Sequence, residues 1–340
     1  MTISSSAGAG APFSRPIKAS SACINGRDVS VAIVLPAFNE ELTIAATVME
    51  FHRALPDASI VVVDNNSTDD TRSRALGALA AIGAGGLLLA ESRQGKGYAV
   101  RRAFRSVAAD IYVLADADMT YPGDRVLDLV RPIVNDEADM VVGNRLADGR
   151  YAAENKRRFH SLGNRLILSI VNRLFRAKLG DIMSGYRAVS GSFVAGYPML
   201  VYGFEIETDM TLHALDKRFR LVEVPIDYRG RPTGSVSKLR TFEDGRHVLL
   251  TVIHLVRYYR PLLFFGAVAV LVALAGLAAA MPVMSDWITY RYIYHLPLAV
   301  LATGLEIVAL MSFGIGLILD SVVHLERMAY ERDLLARRFE

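Results

Sequence analysis

The sequence predicts an α/β domain with a mainly parallel sheet, then an amphipathic helix at a membrane interface, then two transmembrane helices. Three observations carry that expectation. Over the first half of the 340 residues, short apolar runs alternate with stretches whose apolar positions recur at helical spacing, the pattern of a sheet covered by helices. One run, Ile111 to Ala115, passes straight into Asp116-Ala117-Asp118, as a buried strand does when it ends at a ligand crevice. The hydrophobic fraction, 52% overall, has its excess near the C-terminus in two long apolar segments.

In chain order, residues 1–28 read as a flexible tail. Met1 to Gly10 are rich in Ser, Gly and Ala, with neither the basic start nor the apolar stretch of a signal peptide. The single cysteine, Cys23, falls in that tail, which excludes an internal disulfide and a thiolate metal site. A domain over residues 29–240 follows. Its strands are expected at Val31–Leu35, Ile60–Val63, Gly86–Ala90, Ile111–Ala115 and Met140–Val142, and its helices at 40–55, 69–82, 97–107 and 124–134. Residues 150–180 read as a further, basic helix.

Residues 241–260 carry an apolar stripe of Val248, Leu249, Val252, Ile253 and Val256, with Arg246, His247, His254 and Arg257 mostly off it, as in a helix lying in the interface. Pro261 to Ser285 hold no acid or base, and between Tyr292 and Leu319 the only charged side chain is Glu306. A bilayer core needs about 20 apolar residues per helix, so 261–284 and 293–319 are expected to form a transmembrane hairpin over 261–320, with its turn at 286–291. Glu306, an acid inside the second span, marks either a subunit contact in a homo-oligomer or the lipid path. Arg246, Arg257 and Arg260 precede the hairpin and Arg327, Arg332, Arg337 and Arg338 follow it, against Arg291 alone in the turn. That bias places the 29–240 domain, both termini and a C-terminal tail at 321–340 on the cytoplasmic side of a cell's inner membrane, with a multi-pass topology. A net charge of +3, with bases gathered beside the membrane, reads as contact with anionic lipid and not with nucleic acid.

Ligands of such a sheet collect at the C-terminal strand ends. Those ends read Pro36-Ala37-Phe38-Asn39-Glu40, Asp64-Asn65-Asn66-Ser67-Thr68-Asp69, Asp116-Ala117-Asp118 and Gly143-Asn144-Arg145. Alternate strand residues share a face, so Asp116 and Asp118 point toward one crevice. Paired carboxylates suit a hard cation, Mg²⁺ or Mn²⁺, whose shell is normally completed by substrate phosphate oxygens, so a phosphorylated substrate is expected.

With Gly95-Lys96-Gly97, Asp181-Ile182-Met183-Ser184-Gly185-Tyr186-Arg187 and the loop from Arg229 to Lys238, these motifs stand in the order found in one family. From about residue 30 to 325 the chain resembles the family 2 glycosyltransferases of GT-A fold, and more narrowly the polyprenyl-phosphate glycosyltransferases related to dolichol-phosphate mannose and glucose synthases. The resemblance implies a Rossmann-like catalytic domain and a nucleotide sugar held by Pro36, Ala37, Asn39, Glu40, Asp64, Lys96, Asp116, Ala117, Arg229, Arg231 and Lys238. It implies Asp118 as the main metal ligand, with Asp116 on ribose or metal. Relatives often carry Gln as a further ligand where Thr120 stands here. Arg145, Arg157 and Ser161 match positions that hold the acceptor phosphate; Arg158 is adjacent, which leaves open which of the pair points inward.

The reaction so implied is transfer of a hexose from a nucleotide sugar to a polyprenyl phosphate with inversion at the anomeric carbon. Uridine and glucose are favoured, with guanosine and mannose next. A phosphate monoester has a second pKa near 6, so the nucleophile is already largely ionised at neutral pH. Asp181 is the expected catalytic carboxylate, either as base or as the group orienting Arg187 or an acceptor-site arginine, and Glu207 is the alternative base. Trp287 is the only tryptophan, which rules out the Gln-x-x-Arg-Trp motif of processive polysaccharide synthases. No Gly-x-Gly-x-x-Gly follows any strand, which rules out a dinucleotide oxidoreductase. A membrane scaffold that keeps a nucleotide-binding fold without activity is the remaining alternative.

Overall fold

The computed structural model describes residues 16–146, 158–199, 201, 203, 205–230, 253 and 256–337. The chain divides into two compact units, Met1–Arg240 and Thr241–Glu340.

In the first unit, the strands are β1 (Ile17–Lys18), β2 (Ser21–Ile24), β3 (Arg27–Ala37), β4 (Ser59–Asp64), β5 (Gly86–Ala90), β6 (Val107–Ala108), β7 (Ile111–Leu114), β8 (Met140–Asn144), β9 (Arg187–Ser190) and β10 (Leu221–Pro225). The helices are α1 (Ile44–Ala54), α2 (Thr71–Ile82), α3 (Lys96–Ser106), α4 (Val126–Val134), α5 (Arg158–Phe175), α6 (Gly191–Gly196) and α7 (Ile206–Asp216). The main sheet runs β10-β8-β9-β7-β3-β4-β5. Its pairings are parallel except around β9, which runs antiparallel to both β7 and β8.

Alternation along the strands builds a core on each face of this sheet. Val31, Ile33 and Leu35 of β3, with Ile60 and Val62 of β4, pack beneath α1, α2 and α4. Ala32 and Val34, with Val61 and Val63, pack on the other side with Ala99, Val100 and Ala103 of α3 and Met210 of α7. Strands that must satisfy both cores are apolar throughout, and this is why their runs stand out in the sequence. β3 pairs with β4 on one side and β7 on the other, so the chain reverses direction across the sheet there. The C-terminal ends of β3, β4, β7 and β8 border the crevice that such a reversal opens.

Residues 17–28 correct the expected tail of 1–28. β2 pairs antiparallel with β3, from Ser21 opposite Ser30 to Ile24 opposite Arg27. Ala22 and Ile24 enter the core while Ser21 and Cys23 face outward, a two-residue period too short to stand out among Ser and Ala. Cys23 is therefore an exposed strand residue.

His213 illustrates the second core. It is buried against Phe193, Tyr197 and Phe219, with ring centroids 5.7, 5.2 and 6.2 Å away. Burial, reinforced by Lys217, pushes its pKa down to about 4 from 6.5. Between those values the unfolded chain binds the extra proton, so stability rises with pH through the window and falls as pH drops toward 4. The full effect is about 3 kcal/mol. Thermal melts of wild type and His213→Phe from pH 7 to pH 4 are expected to show a flatter profile for the variant.

The second unit contains α8 (Pro261–Tyr290) and α9 (Leu296–Arg337), packed against one another. Both are long and apolar enough to cross a bilayer. The turn lies at residues 291–295, not 286–291. Asp286, the acid that made the sequence look like a turn, is only 7% exposed. Its carboxylate accepts the N–H groups of Tyr294 (2.9 Å) and His295 (3.1 Å) and bonds His295 Nδ1 (2.7 Å). With its charge satisfied across the turn, the helix continues to Tyr290 and ends at Arg291, whose φ is +55°. The expected tail at 321–340 is likewise helical as far as Arg337, where Leu, Met, Glu and Arg dominate. Most of the interfacial helix expected over 241–260 lies outside the described residues.

Candidate active site

The crevice is floored by loops that interlock. After Ala37 the chain turns through Asn39, at φ +52°. The Asn39 N–H donates to Ser67 Oγ (3.1 Å), and its side-chain carbonyl accepts the Thr68 N–H (2.8 Å). The Glu40 N–H donates to Thr71 Oγ1 at 2.7 Å, and the Glu40 carboxylate accepts the Thr43 hydroxyl at 3.2 Å. These contacts fasten the loop after β3 to the one after β4. Asp64, 5% exposed at the end of β4, accepts the Ser67 N–H at 3.2 Å.

Asp116 and Asp118 follow β7, as expected. Asp118 is 2% exposed, and its Oδ1 accepts both the Thr120 N–H (3.1 Å) and the Thr120 hydroxyl (2.5 Å). Thr120 therefore orients the aspartate in place of adding a ligand. Met119, between them, stands at φ +61°, left-handed backbone that is uncommon for residues other than Gly, Asn and Asp. The Ala117 side chain is in the core and its carbonyl accepts the Thr47 hydroxyl at 3.2 Å.

Lys96 opens α3, and its ammonium lies between the carboxylates of Asp116 and Glu207. Burial alone would lower its pKa, but those two charges outweigh it and hold the value above the ordinary lysine range, so the ammonium stays protonated. Glu207 is thus committed to Lys96. Gly185 makes this close approach feasible: a Cβ there would lie 3.0 Å from both Asp116 Oδ2 and Lys96 Nζ. Gly185→Ala is expected to push the pair apart and weaken nucleotide binding about ten-fold, with little loss of melting temperature. Calorimetry beside a thermal melt checks it.

Asp181 and Arg145 form a second, bidentate pair. Arg145 Nε donates to Asp181 Oδ2 at 2.8 Å and Nη2 to Oδ1 at 3.1 Å. Burial raises the Asp181 carboxyl, but the Arg145 guanidinium and the Met183 and Arg145 N–H groups prevail and hold it below the usual carboxylate range. Of the two roles expected for Asp181, this geometry is that of a group orienting an arginine. The arginine is Arg145, since Arg187 is fully buried and spends its guanidinium on the carbonyls of Ile182, Ser184 and Glu207 and the Thr211 hydroxyl.

Three site residues escaped the sequence reading. Tyr121, 2% exposed, accepts the Gly185 N–H at 2.9 Å, and the charges of Arg145, Asp116 and Lys96 all act on its hydroxyl. Tyr228 carries the Arg145 guanidinium 5.7 Å above its ring. Glu223 accepts the N–H groups of Gly180 (2.8 Å) and Asp181 (2.9 Å), fixing the start of the 181–187 loop. None belongs to a short motif; only their place in the fold reveals them.

Arg229 pairs with Glu50 at 2.8 Å, while its N–H donates to the Thr120 carbonyl at 3.0 Å, so its loop starts beside the Asp118 turn. Arg157, Arg231 and Lys238 lie outside the described residues, and Ser161 falls within α5 with its side chain outside them.

Among the described residues, no group of three His, Cys, Asp or Glu side chains is arranged to hold a metal ion. Asp116 and Asp118 nonetheless fit a hard cation that takes its other oxygens from substrate and water, the usual manner of Mg²⁺ at phosphate sites.

Paired aspartates after the strand beside the reversal point, on a sheet of this order, mark the crevice at the strand ends as the candidate ligand site. The family described as glycosyl transferase family 2 matches residues 32–194. Glycosyltransferase AglJ of Haloferax volcanii is 31% identical over 308 residues, covering 89% of this chain and 97% of that protein. A dolichol-phosphate mannosyltransferase of Pyrococcus furiosus is 28% identical, covering 65% of this chain and 63% of its own length. Among solved structures, glucosyl-3-phosphoglycerate synthase from Mycobacterium tuberculosis, in complex with Mn²⁺, uridine-diphosphate-glucose and phosphoglyceric acid, shares the fold. Its TM-score is 0.54 at 23% identity, over 67% of this chain and 79% of that one. The chain belongs to glycosyl transferase family 2 and is an enzyme of that class.

Proposed function

We propose that this enzyme transfers a hexose, with glucose from UDP-glucose favoured, to the phosphate of a polyprenyl lipid, inverting the anomeric centre. The observation that carries the reading is that the Asp181-paired Arg145 lies over the Tyr228 ring, which packs edge-on against Tyr121, whose hydroxyl accepts the N–H of the same Gly185 that abuts Lys96 and Asp116. A cation for the nucleophile's phosphate and a cation for the leaving diphosphate thereby share one crevice. Relatives named for dolichol-phosphate and dolichyl-phosphate sugar transfer support the lipid acceptor.

In the step proposed, an acceptor phosphate oxygen forms a bond to the anomeric carbon as the bond from that carbon to the diphosphate oxygen breaks, and the nucleoside diphosphate leaves with the electron pair. Arg145, its orientation fixed by Asp181 through Nε and Nη2, binds the phosphate with the remaining N–H groups of its fork. Lys96, kept protonated, faces the charge that grows on the leaving group. A phosphate with a second pKa near 6 needs no base, in keeping with Asp181 and Glu207 both being engaged by cations. Mg²⁺ or Mn²⁺, held by Asp116 and Asp118, would supply further neutralisation of the diphosphate. Asp64 and the Pro36–Glu40 turn hold the nucleotide; Arg157, Ser161, Arg231 and Lys238 complete the acceptor and donor sites. The apolar hairpin anchors the enzyme where a polyprenyl chain partitions, with the catalytic domain and both termini cytoplasmic. Full-length protein offered undecaprenyl phosphate and a panel of labelled UDP- and GDP-sugars tests the assignment. UDP-glucose is expected to label the lipid phase most strongly; dominance of GDP-mannose would establish the mannosyltransferase reading instead.

A further inference from the structure

We propose that Asn65 is a positioning residue that sets Lys96 for the donor diphosphate, an inference that rests on the donor-site reading of Lys96. Asn65 is 4% exposed at the end of β4. Its backbone N–H donates to the Ala37 carbonyl at 2.8 Å. Its side chain crosses to the loop that delivers Lys96: Oδ1 accepts the Gly95 N–H at 2.8 Å, and Nδ2 donates to the carbonyls of Arg93 (2.7 Å) and Glu91 (3.4 Å). The side-chain amide thus ties the end of β4 to the residue immediately before Lys96, while the backbone N–H ties Asn65 itself to the end of β3.

The chemistry of that link is specific. Gly95 stands at φ +143°, backbone that residues with a Cβ rarely adopt, and its N–H is taken by the amide oxygen. Aspartate could replace that acceptor but would set a carboxylate against two carbonyl oxygens, and alanine would leave three backbone groups of the loop without this partner. Alanine releases Gly95, and with it the starting point of α3, while aspartate repels the Arg93 and Glu91 carbonyls that flank it. The Lys96 ammonium sits between Asp116 and Glu207 with little room, so a small shift at Gly95 moves the charge off the diphosphate position.

The test is a double-mutant cycle on the full-length protein, measuring binding of UDP and GDP with Mn²⁺ by calorimetry and the Michaelis constant for undecaprenyl phosphate. Asn65→Ala is expected to raise the dissociation constant of the tighter nucleotide about ten-fold, to leave the acceptor constant within about two-fold, and to add less than about two-fold when Lys96→Gln is already present. Asn65→Ser, a smaller change in volume, is measured in parallel with a melting curve for each protein, and the same pattern is expected. The full ten-fold loss persisting in the Lys96→Gln background would overturn the proposal while leaving the donor site standing. Nucleotide binding unchanged in Lys96→Gln itself would overturn both.

Discussion

Asp118→Asn is expected to lower sugar transfer at least about 100-fold, the scale seen when a preorganised electrostatic group is removed from a transition state. The substitution isolates charge from fold. Thr120 donates both its N–H and its hydroxyl to Oδ1, and an asparagine carbonyl in that place accepts the same two bonds, so the turn through Met119 survives. What is lost is one of two carboxylates able to hold a divalent ion against the diphosphate. EDTA should do the same to wild type, and added Mn²⁺ or Mg²⁺ should restore it. Asp116→Asn should cost less turnover, since Asp118 is the main metal ligand expected and Lys96 keeps Glu207 as its other partner. Wild-type activity undiminished by EDTA would remove the metal from the account.

The second large effect concerns the acceptor. Arg145→Ala removes the guanidinium expected to grip the lipid phosphate, and Asp181→Asn leaves that guanidinium without its fixed orientation. A charge-assisted hydrogen bond contributes about 1.5–3 kcal/mol, so the Michaelis constant for polyprenyl phosphate should rise ten-fold to about 100-fold in both variants. Nucleotide affinity should stay near wild type. The same experiment separates a positioning role for Asp181 from a role as base. A positioning carboxylate leaves the pH profile of kcat unchanged in shape, whereas loss of a base removes its acidic limb. Arg145→Lys should recover only part of the loss, because an ammonium cannot form the two-point contact with Asp181 and phosphate. Equal loss of nucleotide binding in Arg145→Ala would move this arginine to the donor side.

The parts of this site that could be read from sequence are those where one residue type in one place answers a chemical need. Asp116 and Asp118 were legible because a buried strand ends on them, and β3, β4, β5, β7 and β8 because both of their faces are covered and their runs are therefore apolar throughout. β2 and β9 were not legible, since strands of four residues leave little periodicity to detect, and Ser21-Ala22-Cys23-Ile24 looks like a tail until its pairing with β3 is seen. The partners of the charged groups were equally hidden. Nothing in Gly95-Lys96-Gly97 indicates that Lys96 meets Glu207, more than a hundred residues away in sequence, nor that Glu223 holds the backbone of Asp181. The Glu223 contact follows from the sheet order, which places β10 beside β8 and so brings Glu223 to the N–H groups of Gly180 and Asp181.

That a lipid phosphate, and not a hydroxyl, is the nucleophile is the central claim, and a paired acceptor assay tests it most directly. Full-length enzyme is given labelled UDP-glucose, or whichever nucleotide sugar it uses best, with undecaprenyl phosphate in one reaction and undecaprenol in the other, and label is counted in the organic phase. Label is expected only with the phosphate, in a product whose anomeric configuration is opposite to that of the donor. Equal labelling of the alcohol, or retention of configuration, would contradict it.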